Sequence, residues 1–424
     1  MNSCIVVCGA NWGDEGKGRI VDYLASNASA VIRFQGGNNA GHTVVNEYGT
    51  FKLHLIPSGI FYPDVLNILG TGTVIDLEAL NIEIEGLHER GIRSLNLRIS
   101  NRATICLPFY PLEDALEEER LGSRSYGSTK RGIAPAYADR YWKRGIQIAD
   151  ALHPAVLRDR VEQLAELKNA YYPTLYPKMP KIDVRETVEW VLRNIEPLKS
   201  LIVDTQEIEP VVRATGKPIL FEAQLGALRD INAGIYPYTS SSCCLSSYAP
   251  LGGGFPSLVP DTVVAVAKAF STCVGDGPFV TEMEGAYADQ LREVAMEYGV
   301  ATGRPRRIGH FDAVATRYGI WAQRATTIAL TKLDTLSGLD TLKICTHYEY
   351  NGQQKDTFPP NAILNECKPV YKELFGWSED ISGIRKYEDL PQTTRAYIEE
   401  IERLIGIKAQ YISVGAHRDA MIVR

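Results

Sequence analysis

Short apolar runs that lack polar alternation recur along this chain: Cys4 to Cys8, Ala30 to Phe34, Val65 to Leu69, Ile219 to Phe221, Thr326 to Leu330 and Tyr411 to Val414. A strand with one face in water alternates apolar and polar side chains, whereas a strand covered on both faces does not. The runs therefore predict a parallel sheet with helices on both sides. Helical spacing fills the gaps between them, at Leu157, Val161, Leu164 and Leu167, at Val184, Val188, Val191 and Ile195, and at Ile398, Ile401 and Ile405 with Gly406 placed as a stop. The stretch from about Leu112 to Thr215 is mostly helical in pattern, with no linker or repeat to separate it. The expected fold is α/β: one domain over 1–424 with a large, mainly parallel central sheet, like that of phosphate-loop NTPases, and a helical insertion or subdomain at about 112–215.

Composition narrows the function. A net charge of −6 gives no overall basic field for nucleic acid or an anionic membrane, so any anionic ligand must be held by local groups. Eight cysteines in 424 residues, with no Cys-x-x-Cys, are too sparse for a disulfide scaffold and read as thiols in a reducing compartment. The first residues carry no basic leader, and no run nears the ~20 apolar residues of a membrane helix. A cytoplasmic enzyme acting on small molecules is the expectation, with neither nucleic acid nor membrane as partner.

The strongest local signal follows the first run directly: Gly9-Ala10-Asn11-Trp12-Gly13-Asp14-Glu15-Gly16-Lys17-Gly18. Glycines let backbone N–H groups approach a polyphosphate, Lys17 adds charge, and a helix from about Arg19 would aim its N-terminus at the same anion. The spacing is not that of a Walker A loop: six residues rather than four separate Gly9 from Gly16, and Gly18 stands where that motif has a magnesium-binding hydroxyl. Asp14 can then ligate magnesium, act as a base, or both, the plainer reading being a capping residue in a turn. Far downstream, Thr331-Lys332-Leu333-Asp334 ends another strand. Taken singly the aspartate there reads as a helix cap, but beside a phosphate loop it can accept from both N1–H and N2–H₂ of guanine, a donor pair that adenine lacks. A second glycine loop, Phe34 to Thr43, presents Asn39, His42 and Thr43. Histidine, with an ordinary pKa of about 6.5, can donate to a phosphate oxygen, although a lone histidine is as often structural. Thr302-Gly303-Arg304-Pro305-Arg306-Arg307 puts three arginine forks on a loop, suited to carboxylate or phosphate, or else to solvent.

Together NWGDEGKGRIVD, RFQGGNNAGHT, HLIPSGI, RGIAPAY, FEAQ to YPYTSS, GPFVTEM, ATGRPRR, LTKLD and YISVGAHRD resemble the adenylosuccinate synthetase family, in family order over essentially the whole chain. The resemblance implies a GTP-dependent ligase that joins L-aspartate to C6 of IMP through a 6-phosphoryl intermediate. It makes Asp14 the base that takes the N1 proton of IMP, His42 the acid at the departing β-phosphate oxygen, and Asp14 with the Gly41 carbonyl the ligands of one magnesium ion per subunit. It assigns GTP to Gly13, Glu15, Gly16, Lys17, Gly18, Arg19, Gly41, Thr43, Lys332, Asp334, Ser413 and Gly415. IMP falls to Asn39, Thr129, Lys143, Gln224, Thr239 and Arg304, and aspartate to Val300, Ala301, Thr302, Arg304, Arg306 and Arg131. A homodimer is implied, with Lys143 or its neighbour Arg144 reaching the next active site.

Several positions depart from the family pattern. Lys143 replaces an arginine, Glu222-Ala223-Gln224-Leu225-Gly226 replaces Glu-Gly-Ala-Gln-Gly, Ser242 to Tyr248 replaces an Asn-Thr-Thr-Ala-Gly-Gly run, and Pro305 replaces a common arginine. The changes surround the purine site, so a 2-aminopurine acceptor such as dGMP is an alternative to IMP. A guanine-nucleotide-binding module without ligase chemistry is a second.

Overall fold

In the computed structural model, which describes residues 3–39, 41–299 and 303–424, a ten-stranded sheet forms the spine of the molecule. Its strands lie in the order Met421–Val423, Ala409–Ser413, Thr327–Thr331, Thr262–Lys268, Cys4–Gly9, Ile219–Glu222, Ala30–Arg33, Leu66–Leu69, Leu97–Ser100 and Ile202–Val203. Neighbours are parallel throughout, except that the edge strand Met421–Val423 runs against Ala409–Ser413.

The unalternating runs are explained by cover on both faces. Val6, Ile32, Phe221 and Ala265 enter one apolar cluster, while their chain neighbours Val7, Val31, Leu220 and Val264 enter another on the opposite face. Successive strand side chains point to opposite faces, so a sheet buried on both sides needs apolar residues at every position. All six predicted runs form sheet strands, within one or two residues at their ends. Leu97–Ser100, Ile202–Val203, Thr262–Lys268 and Met421–Val423 complete the sheet without having been predicted. Ile202–Val203 is only two residues long and is a strand because Ile99 and Ser100 pair with it.

The helices follow the predicted periodicity. Pro154–Leu175 buries Leu157, Val161 and Leu164, and Gln392–Ile405 ends on Gly406 in the left-handed conformation, φ 81°. Val184–Ile195 starts from Asp183, whose carboxylate accepts from the Glu186 N–H at 2.9 Å. Side chains from two helices of the helical insertion, such as Val161 and Val191, share a core with Leu69, Leu97 and Ile99 of the sheet. A buried ammonium fixes their arrangement: Lys168, 1% exposed, lies 2.8 Å from Glu113 and 2.9 Å from Asp139. It thereby ties Pro154–Leu175 to the helices Tyr110–Leu121 and Ile133–Tyr141.

Because the central strands are parallel, their carboxyl ends emerge together. Gly9 to Gly16, Phe34 to Asn39, Ala223 to Gly226, Lys332 to Asp334 and Val414 to Gly415 all leave the sheet on that side. Ligands of open α/β sheets bind at this edge. The central core should dominate stability. Ile32→Ala, at a fully buried central position, is expected to cost about 2–5 kcal/mol, whereas Ile82→Ala, on the exposed face of Leu77–Glu89, should stay within about 0.5 kcal/mol, as read by urea unfolding.

Candidate active site

The first loop is held from inside. Glu15, 2% exposed, accepts from the Gly13 N–H at 2.8 Å and the Asn11 N–H at 3.2 Å, and ion-pairs with Lys17 at 2.6 Å. Gly13, Asp14 and Gly16 all take positive φ, 101°, 60° and 93°. Aspartate is one of the few side-chain-bearing residues that tolerates this conformation, and it turns Asp14 out of the loop while Glu15 turns in. The helix Lys17–Ala25 starts immediately at Gly16, two residues earlier than the sequence suggested, so its N-terminus lies within the loop itself.

Gly18 is dictated by close approach. A Cβ there would lie 2.8 Å from the Cβ of His42. That contact sets the imidazole against the first turn of the helix. His42 Nδ1 is 2.5 Å from Glu222 Oε1, and Glu222 also accepts from the Ser58 N–H at 2.8 Å and the Ser58 hydroxyl at 2.6 Å. Among the described residues Nε2 is buried without a partner. Burial lowers the His42 pKa, and the charge of Arg33 adds to this, against the opposing pull of Glu222. Burial pushes Glu222 up, but His42, Arg33 and Ser58 outweigh it and hold its carboxyl below the usual range. The resting pair is therefore a neutral imidazole donating from Nδ1 to a carboxylate, which leaves Nε2 as its one uncommitted atom. Glu222 carries no motif of its own in the sequence; its one local signal is an acid at the end of a buried apolar strand, Ile219–Glu222.

The distant nucleotide motifs meet at the same edge. The Thr331 hydroxyl donates to the Glu15 carbonyl at 2.6 Å, and Gly16 packs beside the Thr331 methyl. The Leu333 N–H donates to the Ser413 carbonyl at 3.4 Å. Asp334 begins a short 3₁₀ turn, and burial raises its pKa. Lys332, at φ 62°, donates to the Ala295 carbonyl at 2.8 Å. Arg19 is the expected ligand that is least available. Its guanidinium donates to the Ser413 hydroxyl and to the carbonyls of Gly415, His417 and Ala420, so it fastens the C-terminal loop rather than presenting a free cation.

Beside the loop lies a cavity of about 450 Å³ whose wall includes Asp14, Asn39, Gly41, Thr129 and Thr239, gathered from four separate chain segments. Its acidic side is already committed. Glu118 accepts from the N–H groups of Tyr126, Gly127 and Ser128, and Asp114 accepts from Ser128 Oγ at 2.7 Å and the Gly132 N–H at 3.0 Å. These carboxylates shape the segment that carries Thr129.

Gln224 is a correction. It was expected on the cavity wall, but it is 1% exposed and donates its amide to the Gly37 carbonyl at 2.7 Å. Leu225 lies on the wall instead, in left-handed conformation at φ 56°. The altered Glu-Ala-Gln-Leu-Gly order thus rotates glutamine inward and an apolar side chain outward. Lys143 is exposed at φ 65° and is not among the described residues of this wall; neither are Arg131 and Arg304, both exposed. Thr43 is exposed beside His42, while Val300, Ala301 and Thr302 lie outside the described residues.

The arginine loop does reach Asp14. Arg306 Nε lies 3.1 Å from Asp14 Oδ2, and Nη1 lies 2.6 Å from Glu297. The same Glu297 oxygen takes Lys268 at 2.7 Å. Burial brings the Lys268 pKa down to about 8, with Arg306 assisting and Glu297 resisting. Neither Lys268 nor Glu297 carried a sequence signal, since each is an ordinary charged residue until the fold buries it.

A half-buried carboxylate set between a glycine-rich loop and a cavity suits a nucleotide-dependent ligase, in which a triphosphate activates a second bound molecule. The family model for adenylosuccinate synthetase matches residues 6–422, and the chain belongs to that family. It is 50% identical over 421 residues to adenylosuccinate synthetase 2 of Pseudoalteromonas translucida, covering 99% of each chain. The structure of fully ligated adenylosuccinate synthetase from Plasmodium falciparum superposes with a TM-score of 0.91 at 33% identity, covering 99% of both chains. Cyanophage S-2L succinoaminodeoxyadenylate synthetase, bound to dGMP and dATP, shares the fold alone, at a TM-score of 0.60 and 18% identity over 100% of this chain and 95% of that one. The chain is a GTP-dependent carbon–nitrogen ligase.

If Glu222 orients His42, Glu222→Gln should lower kcat by about 10²-fold while the KM values stay within about threefold, because the imidazole loses its fixed tautomer and not a substrate contact. Steady-state kinetics together with a melting curve check this.

Proposed function

We infer that this chain joins L-aspartate to C6 of IMP, consuming GTP and giving adenylosuccinate, GDP and phosphate. The observation that carries the reading is Asp14, which lies on the cavity wall beside Asn39, Thr129 and Thr239 and within 3.1 Å of an arginine suited to a substrate carboxylate. The C6 oxygen of a purine is a poor leaving group. Asp14 takes the N1 proton, O6 attacks the γ-phosphorus, and the β–γ bridging oxygen departs with GDP. The aspartate amine then adds at C6, and the new O6 phosphate leaves.

His42 serves the first step. Its Nδ1–H is fixed on Glu222, so negative charge arriving at Nε2 favours the doubly protonated ring and turns Nε2 into a donor toward the leaving oxygen. Lys17 and the N–H groups at the head of Lys17–Ala25 receive the remaining phosphate charge. Asp334 accepts from guanine, and Arg306 exchanges Asp14 for the carboxylate of L-aspartate.

Magnesium commonly takes one or two protein oxygens and fills its shell with phosphates and water. Asp14 and Gly41, both on the cavity wall, would offer it a carboxylate and a carbonyl oxygen. When bound, the ion would neutralise charge on the transferring phosphoryl group. Lys143 or Arg144 serves the neighbouring site of a homodimer. Tyr141 and Trp142, 70% and 67% exposed beside them, support burial of this corner against a second copy. Eight free cysteines suit a cytoplasmic setting, and among the described residues no helix is long and apolar enough to cross a membrane.

Incubation with GTP, IMP, aspartate and magnesium should yield adenylosuccinate, with turnover lost on chelation by EDTA. Product formed with dGMP and not with IMP would replace the acceptor, and GTP hydrolysis indifferent to both IMP and aspartate would replace the ligase. Asp14→Asn should reduce kcat by about 10³-fold. Asp334→Asn should shift donor preference from GTP toward XTP by roughly tenfold, measured as a ratio of kcat/KM values.

A further inference from the structure

One buried cation on the cavity wall has been given no part so far. Arg229 ends the short turn Ala227–Arg229 and is 6% exposed. Its Nη1 donates to the carbonyl of Tyr238 and, at 3.2 Å, to that of Asp276. Nη2 donates to the Val274 carbonyl at 2.5 Å and to Cys273 Sγ at 3.0 Å. None of the four acceptors is a carboxylate. Lys17, Lys268 and Arg306 are matched by carboxylates, Glu15, Glu297 and Glu297 with Asp14, whereas Arg19 shares the pattern of neutral acceptors but lies off this cavity wall.

The location matters as much as the missing counter-charge. Among the described residues on the cavity wall, Arg229 is the single cation, facing Asp14, Asp114, Glu117 and Glu118. Those three acids other than Asp14 are occupied, Glu117 by Arg120 and the others by the loop that holds Thr129. Its acceptors also belong to two different walls, the segment of Tyr238 to Ser241 and the segment of Val274 and Gly275. A guanidinium that bridges two walls fixes their separation, and a positive charge buried among neutral acceptors is stabilised when an anion enters.

We propose that Arg229 is a specificity-determining residue for the acceptor: it braces the two walls of the cavity at the spacing of a nucleotide and supplies the positive charge that favours a nucleoside monophosphate over the uncharged nucleoside. The proposal rests on the assignment of this cavity to IMP. It accounts for a requirement that Leu225, an apolar residue on the same wall, cannot meet.

The test compares IMP with inosine, which differ in the phosphate. Wild-type protein and the variants Arg229→Gln and Arg229→Lys are titrated with each by calorimetry, and KM and kcat are measured for IMP and GTP. The expected result is that Arg229→Gln raises the KM for IMP about tenfold, with smaller changes in kcat and in the KM for GTP. The ratio of inosine to IMP dissociation constants should fall by a similar factor, and Arg229→Lys should recover part of it. A purely structural brace would weaken both ligands equally, and an unchanged ratio therefore overturns the proposal, as does equal damage to GTP binding. Should Arg229→Gln not fold, Arg229→Met takes its place as the charge-free variant under the same criteria: a fallen ratio supports the charge role, and an unchanged ratio rejects it. Wild-type protein that neither binds nor turns over IMP would instead remove the acceptor assignment beneath the proposal.

Discussion

A charge removed from water must find another charge or a set of dipoles, and this requirement organises the whole edge of the sheet where the loops converge. Glu15 is matched by Lys17 and two loop N–H groups, Glu222 by His42 and Ser58, and Glu297 by Lys268 and Arg306. Each acid is 0–2% exposed, so each pair is screened little by solvent. Replacing either member by an apolar residue would strand its partner. The same pairs place Lys17, His42 and Arg306 in fixed positions before any substrate arrives. Preorganised charge of this kind is what phosphoryl transfer uses in place of covalent catalysis.

The contact between Arg306 and Asp14 couples two charges at the cavity edge. The two groups hold each other, so an anion that takes the arginine frees the carboxylate, and a cation that takes the carboxylate frees the arginine. Glu297 stays with Arg306 through its own 2.6 Å contact, which keeps the guanidinium in place during the exchange.

Repetitive features of the chain were readable in advance. Unalternating runs forecast strands covered on both faces, and three- and four-residue spacing forecast helices such as Val184–Ile195. The loop around Asp14 was also legible, because glycine, aspartate and lysine at those spacings have few competing uses. Short strands were not legible, since two residues such as Ile202 and Val203 hold no pattern until a neighbour pairs with them, whereas the central strand Thr262–Lys268 was missed although Val263 to Ala267 is the same kind of unalternating run. Gln224 was misplaced for a related reason. A shift of one position in a left-handed turn exchanges inward and outward side chains, and nothing local marks which of Gln224 and Leu225 faces the cavity.

The sequence by itself determined the sheet's burial, the helical cover and the presence of a glycine-rich loop with an acidic member, since these follow from periodicity and from backbone freedom at glycine. Only the tertiary structure decided which charges meet. Glu222 and His42 are 180 residues apart, and Arg19 and Ser413 are 394 apart. Contacts over such distances depend on strand order and on how loops leave a parallel sheet, and the energy of a buried ion pair exists only once both partners have left water.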